Sequence, residues 1–278
     1  MAAREEGDEP RVVREDGGFV VVYKPPRMHC APGLGSGDLC SWMQERYPET
    51  AGPAGAARPS GEARRRPEEG YLLHRLDYET SGLVLYARDG GTYARLLEEQ
   101  EAGRFRKEYF AFCAASRNAS PSGSAPVRGM VPGVDEAAWA SARDAEDAQA
   151  MLALLGGEVR FLRSAFRPFG PRGARVACLL GARAAGTTYV TEILGPADQR
   201  YTGVPPLSGP PGLICLRLRL SRGFRHQIRA HLAWIGLPIS GDPLYGGAAD
   251  GRLGLYATAL EFALPGAGRA VRITLDQA

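Results

Sequence analysis

Residues 213–220 alternate: Leu216, Leu218 and Leu220 fall on one side of an extended chain and Arg217 and Arg219 on the other. That period of two marks a strand with one dry face, from whose wet face the two arginines project together. Further short β-rich runs lie at 19–23, 83–87, 105–114, 176–180, 187–194, 253–262 and 270–275, bounded by turn clusters such as Glu15-Asp16-Gly17-Gly18 and Ser240-Gly241-Asp242-Pro243. Helical spacing occurs at 38–47, with Asp38 as N-cap, and at 93–100, 144–155 and 224–235. In 224–235 the apolar stripe is Ile228, Leu232 and Ile235, with Arg225, His226 and Arg229 toward the opposite or flanking side, and Gly236 with Pro238 ends the helix. Strands cluster without a regular strand–helix–strand rhythm. The expected class is therefore α+β, with a mixed, largely antiparallel central sheet flanked by helices and loops.

Two stretches break this order: 48–70, which includes Arg64-Arg65-Arg66, and 115–165, where only one helix is discernible. We read them as loop insertions in a single domain over 11–278, with 1–10 as a disordered tail. Because the strand signal begins at Phe19, a small N-terminal RNA-binding module of S4 type is not expected ahead of it. A hydrophobic content of 44% in 278 residues is enough for a sizeable core. The net charge of +3, from 34 basic and 31 acidic residues, does not announce nucleic acid, so any such surface must come from local clustering. All the basic residues are arginine except Lys24 and Lys107. A lysine retained in such a chain marks a place for a compact ammonium where a planar fork would not serve.

Several chemistries drop out. The five cysteines are widely spaced and form no C-x-x-C pair, which argues against a disulfide framework and a zinc site, and no metal is expected. The four histidines include no H-E-x-x-H, and neither a phosphate-cradling G-x-x-x-x-G-K-[ST] loop nor a G-x-S-x-G nucleophile elbow occurs. No apolar run approaches the ~20 residues of a membrane span, and the acidic start around Glu5, Glu6, Asp8 and Glu9 disfavours a secretory or organellar leader. A reducing cytoplasm is the expected setting.

What remains is His74-Arg75-Leu76-Asp77-Tyr78-Glu79-Thr80-Ser81-Gly82, a carboxylate two residues after an arginine, followed by two hydroxyls and a glycine at the entry to an apolar strand. By itself the run also fits a polar turn whose side chains bond the local backbone. Continued through Leu83-Val84-Leu85, it closely resembles the HRLDxxTSGLLL signature of RluA-like RNA pseudouridine synthases. Further matches follow in the family's order: Val21-Val22-Tyr23-Lys24-Pro25 near the start, Lys107-Glu108-Tyr109 in the middle, and His226-Gln227-Ile228-Arg229-Ala230-His231-Leu232 with Gly241-Asp242-Pro243-Leu244-Tyr245-Gly246 late in the chain. Both lysines fall inside matched motifs.

The resemblance implies the pseudouridine synthase fold and an isomerase that converts uridines of structured RNA, ribosomal or transfer, to pseudouridine. Breaking the C1′–N1 bond, reorienting the uracil and joining C5 to C1′ involves no net oxidation, so no cofactor is expected. No obligatory protein partner is expected either, and the chain is read as a monomer. The resemblance makes Asp77 the catalytic carboxylate, acting as nucleophile at C1′ or as base at C2′. It makes Arg229 the cation that keeps that carboxylate charged, and Tyr109 the flat partner of a base taken out of its stack. His74, Arg75, Thr80, Ser81, Lys107, Arg225, His226 and Gln227 are candidate substrate or pocket-wall contacts. The chain departs from the family's usual residues at Arg27 for glycine, Phe224 for arginine and Tyr256 for histidine. A catalytically silent RNA-binding protein on the same scaffold is the alternative, and a Ser/His/Asp hydrolase a more distant one.

Overall fold

The computed structural model describes residues 9–32, 37–52, 69–119, 131–180, 186–197, 204, 212–247, 251–263 and 270–277. Most of the expected tail at 1–10, residues 53–68 of the first insertion with Arg64-Arg65-Arg66, and residues 120–130 of the second lie outside the described residues. Among those described, the strands are β1 (Arg11–Asp16), β2 (Phe19–Lys24), β3 (Ser81–Ala87), β4 (Arg106–Cys113), β5 (Arg160–Phe169), β6 (Arg175–Leu179), β7 (Tyr189–Pro196), β8 (Ile214–Leu220), β9 (Leu255–Ala263) and β10 (Ala270–Thr274). The helices are α1 (Leu39–Arg46), α2 (Gly90–Glu101), α3 (Glu136–Asp144), α4 (Ala148–Leu155) and α5 (Gln227–Trp234), an α+β composition as expected. Among the described residues no helix is long and apolar enough to cross a membrane.

Four of these helices begin on an aspartate whose side chain accepts from a backbone N–H three residues on: Asp38 from Ser41 (2.9 Å), Asp89 from Thr92 (2.8 Å), Asp135 from Ala138 (2.8 Å) and Asp147 from Ala150 (2.9 Å). Each satisfies an N–H that the first turn leaves without a helical partner, worth about 1 kcal/mol. Helix α5 is the exception, since His226 precedes it in a left-handed conformation without a side-chain cap.

The chain divides into two compact units, Met1–Lys107 with Ala257–Ala278, and Glu108–Tyr256. The divisions fall inside β4 and β9. In the first unit the strand order is β1-β2-β3-β9, with β10 also paired to β9. The pairs β1/β2, β2/β3 and β9/β10 are antiparallel. Strands β2 and β3 are buried along their whole length, as their unbroken apolar runs require. Strand β1, Arg-Val-Val-Arg-Glu-Asp, is exposed at nearly every residue and ends the order, where charge is the usual protection of an unpaired edge. Phe19 and Phe105 meet Phe262 at ring distances of 5.3 and 5.9 Å and centre the core.

The second unit orders its strands β4-β8-β7-β5-β6, with β8/β7, β7/β5 and β5/β6 antiparallel. Leu216, Leu218 and Leu220 are buried as the alternation predicts. Arg217 and Arg219 are not an equivalent pair: Arg217 is exposed, while Arg219 donates from Nε to Glu192 at 2.9 Å across the strands. The stretch 115–165, expected to be a loop insertion with one helix, contains α3, α4 and the start of β5. Helix α5 is also not the one-sided helix expected, because all eight of its residues are buried.

Candidate active site

In the first unit Asp77 heads a turn, its carbonyl accepting from Thr80 N at 3.1 Å. Aspartate is favoured at the first position of such turns because its short side chain bonds local backbone. Ahead of the turn the chain is tied to β3, with Leu73 N bonded to Leu85 O and Ala87 N to Tyr71 O, each at 3.0 Å. Beyond it, Gly82 has φ 122°, and a Cβ there would lie 2.2 Å from Ala257 O. Only glycine permits that approach of β3 to β9. Asp77 itself is half-buried and Tyr78 is 43% exposed.

The turn is fixed largely by one short segment, residues 24–30. Lys24, fully buried at the end of β2, donates from Nζ to the carbonyls of Pro25 (2.8 Å), Met28 (2.9 Å) and Tyr78 (3.2 Å). Three donors spread around one small cation suit this arrangement, which a guanidinium plane does not. Burial lowers the Lys24 pKa to about 8, against the opposing pull of Cys30, Asp77 and Glu79. Cys30 Sγ accepts from Leu76 N at 3.3 Å and donates to Leu76 O at 3.5 Å. The His29 ring lies 4.5 Å from that of Tyr78, and Arg27 Nε lies 3.6 Å from Glu79. Arg27 has φ 59°, the left-handed region that glycine enters freely, so the family's glycine at this position has a backbone reason.

The other expected residues of this unit divide by burial. Arg75 is exposed and bonds Glu69 at 3.1 Å. His74 is buried against Phe105 (5.4 Å), neither ring nitrogen has a hydrogen-bond partner, and burial together with Lys107 holds its pKa well below the usual imidazole value. Thr80 Oγ1 is likewise buried without a partner, and Ser81 is buried as the first residue of β3. Lys107, also buried, has its Nζ 5.9 Å from the centre of the Phe105 ring.

The second unit holds Tyr109, Arg225, His226, Gln227 and Arg229. Tyr109 is buried in β4. Arg229, 4% exposed, is gripped by a fully buried Asp242, with Nε to Oδ2 at 2.7 Å and Nη2 to Oδ1 at 2.8 Å. The reading of Arg229 as lying opposite an apolar stripe is thereby corrected: a two-pronged carboxylate pairing makes burial of the cation possible. Its guanidinium also lies 5.3 Å from the centre of the Tyr245 ring, whose hydroxyl accepts from Val176 N at 2.8 Å and is 3.1 Å from His226 Nδ1. Asp242 and Tyr245 both come from the Gly241-Asp242-Pro243-Leu244-Tyr245 turn. Its Gly241 has φ 75°, and a Cβ there would meet Arg252 O at 2.1 Å.

Gln227 closes the start of α5 by accepting from Phe224 N at 2.9 Å, and donates to Val190 O at 2.9 Å and Thr191 Oγ1 at 3.1 Å. His231, fully buried, spans Ser164 Oγ (2.9 Å from Nε2) and Thr191 Oγ1 (2.8 Å from Nδ1), and burial lowers its pKa to about 3. The exposed Arg225 donates to the carbonyls of Gly173 and Arg175, the latter at 3.3 Å. Phe224, in place of the family's arginine, stacks on Phe166 at 5.2 Å and 9° and packs against the cluster of Val176, Ala230, Ala233 and Tyr245. Tyr256 is buried edge-on to Phe112 at 6.0 Å. Sequence reasoning assigned no role to Cys30, Asp242 or Tyr245, although the last two lie inside a matched motif.

The model of the RNA pseudouridylate synthase family matches residues 18–234. The chain belongs to this family. An uncharacterized RNA pseudouridine synthase of Chloroflexus aurantiacus is 29% identical over 226 residues, covering 80% of this chain and 50% of the relative. Ribosomal large subunit pseudouridine synthase D of Xanthomonas campestris pv. campestris is 26% identical over 280 residues, covering 94% of this chain and 64% of the relative. The chain thus spans about half to two thirds of the length of these curated relatives. Its fold is shared with human RNA pseudouridylate synthase domain containing 1, at a TM-score of 0.57 and 15% identity over 99% of this chain and 85% of that one.

Proposed function

We propose that this pseudouridylate synthase family member isomerises uridine to pseudouridine in ribosomal RNA or transfer RNA. Asp77 is the carboxylate that acts at the ribose, by attack at C1′ or removal of the C2′ proton. Tyr109 is the aromatic against which the extracted uracil lies, because a stacked base hides its glycosidic bond. Arg229, already oriented by Asp242 through two of its five N–H donors, supplies the cation that favours an ionised carboxylate in a water-poor setting. Arg75 and Tyr78, both exposed beside Asp77, are available to RNA.

The observation that carries this reading is the family match over residues 18–234, within which Asp77, Tyr109 and Arg229 all fall. The name of the Xanthomonas campestris relative favours ribosomal RNA as the first substrate to try. The test is release of tritium from RNA labelled at uridine C5, using total RNA from a strain lacking this gene. Release by the wild-type protein and its loss in Asp77→Asn are expected. Binding of RNA without release would instead indicate the catalytically silent scaffold.

A further inference from the structure

Lys24, Arg27, His29 and Cys30 all engage the stretch Leu76–Glu79, so one heptapeptide grips the loop on both sides of Asp77. The contacts differ in kind. The Arg27 ion pair is exposed and weak, and the His29 ring meets an exposed tyrosine. Cys30 is buried, and its single thiol engages Leu76 twice, as acceptor from N and as donor to O. Those two atoms belong to different peptide groups, one before Leu76 and one joining Leu76 to Asp77. Fixing both planes sets φ and ψ of Leu76 and so places the N and Cα of Asp77; with the Asp77 carbonyl held by Thr80 N at 3.1 Å, the direction in which its side chain leaves the backbone is set as well.

We propose that Cys30 is a positioning residue for Asp77, its thiol holding the two peptide groups on either side of Leu76 so that the carboxylate is presented in one orientation. This rests on the role of Asp77 proposed above. A thiol suits the place, since it is small and apolar enough for a buried site yet carries one donor and an acceptor. Valine offers neither and is somewhat bulkier, and serine offers both with a shorter reach.

The test compares wild type, Cys30→Val and Cys30→Ser in two measurements: single-turnover tritium release as a function of RNA concentration, and amide hydrogen exchange at Leu76. In Cys30→Val the maximal rate should fall about 5- to 20-fold, with half-saturation unchanged within about twofold. Exchange at Leu76 should accelerate about tenfold or more while Leu83 and Leu85 in β3 keep their protection. Cys30→Ser should recover most of both. An unchanged maximal rate in Cys30→Val, an unchanged Leu76 exchange rate, or a serine variant that protects Leu76 without restoring rate would each overturn the proposal. If Cys30→Val does not fold, Cys30→Ala carries the same readings. A wild-type protein that releases no tritium overturns the functional reading instead, and exchange at Leu76 then decides by itself whether the thiol holds the loop.

Discussion

In the first unit Asp77 is fixed through its neighbours, Leu76 by the Cys30 thiol and Tyr78 by the Lys24 ammonium, while the carboxylate stays half-buried at the head of a turn. In the second unit Arg229 is fixed by its own side chain, buried on a helix with no exposed residue and met by both oxygens of Asp242. Main-chain restraint places a side chain by where its Cα is held. Side-chain restraint makes a charge permanent and couples it to the integrity of its surroundings. Substitutions around Asp77 should therefore change rate with little change in stability, and those around Arg229 should change stability first.

The largest expected effect tests the first half of that contrast. Asp77→Asn should lower single-turnover tritium release by on the order of a thousandfold or more, with the urea midpoint unmoved; a large fall in the midpoint would break the contrast. Next, Asp242→Ala should destabilise the protein by about 3–5 kcal/mol in urea unfolding, because it leaves a buried guanidinium without its counter-charge. If stability is retained and only rate is lost, the second unit is not built as described.

Acid provides the third test. His231 has a folded pKa of about 3, below the 6.5 of an exposed imidazole, so between those values the unfolded chain binds a proton that the folded chain does not. Its contribution is intact above about pH 6.5 and is lost as pH falls toward 3, by about 3 kcal/mol between pH 7 and pH 4. Urea unfolding at those two pH values should show the loss, and His231→Asn should reduce it. His74 in the first unit has its pKa lowered in the same sense, so part of the acid sensitivity should survive that substitution. The smallest effect is expected at Arg27→Gly, which relieves a left-handed φ of 59° and removes an exposed ion pair. A net gain below about 1 kcal/mol, read from the urea midpoint, is expected because the strain relieved slightly exceeds what such a pair contributes.

The legible parts of the fold were those in which one physical signal dominates. β2 and β3 were visible as apolar runs, β8 as an alternation, and α1 by the aspartate that caps it. β1 was hidden because its charges protect an edge, and β5 because Pro168 and three arginines interrupt its pattern. The short helix α3 buries only Ala142, so it has no apolar stripe to reveal it. The polar residues of α5 were misread for the opposite reason: Gln227, Arg229 and His231 are buried because each has partners, and partners are not visible in periodicity. The Asp77 motif stood out as a string, whereas its support by Cys30 joins residues 46 apart in the chain and leaves no local trace. The departures at Phe224 and Tyr256 were visible as departures, but only packing against Phe166 and Phe112 gives them a reason.

The division of the chain inside β4 and β9 bears on the order in which a ribosome releases the parts. The second unit, Glu108–Tyr256, is continuous and is complete once Tyr256 has been added. The first unit must wait for Ala257–Ala278, which bring most of β9 and all of β10 to a sheet whose other strands were made long before. During synthesis the apolar β3, with Asp77 just ahead of it, therefore spends an interval without its later neighbour, and released chains truncated after Tyr256 should expose the Asp77 half to protease before the Arg229 half.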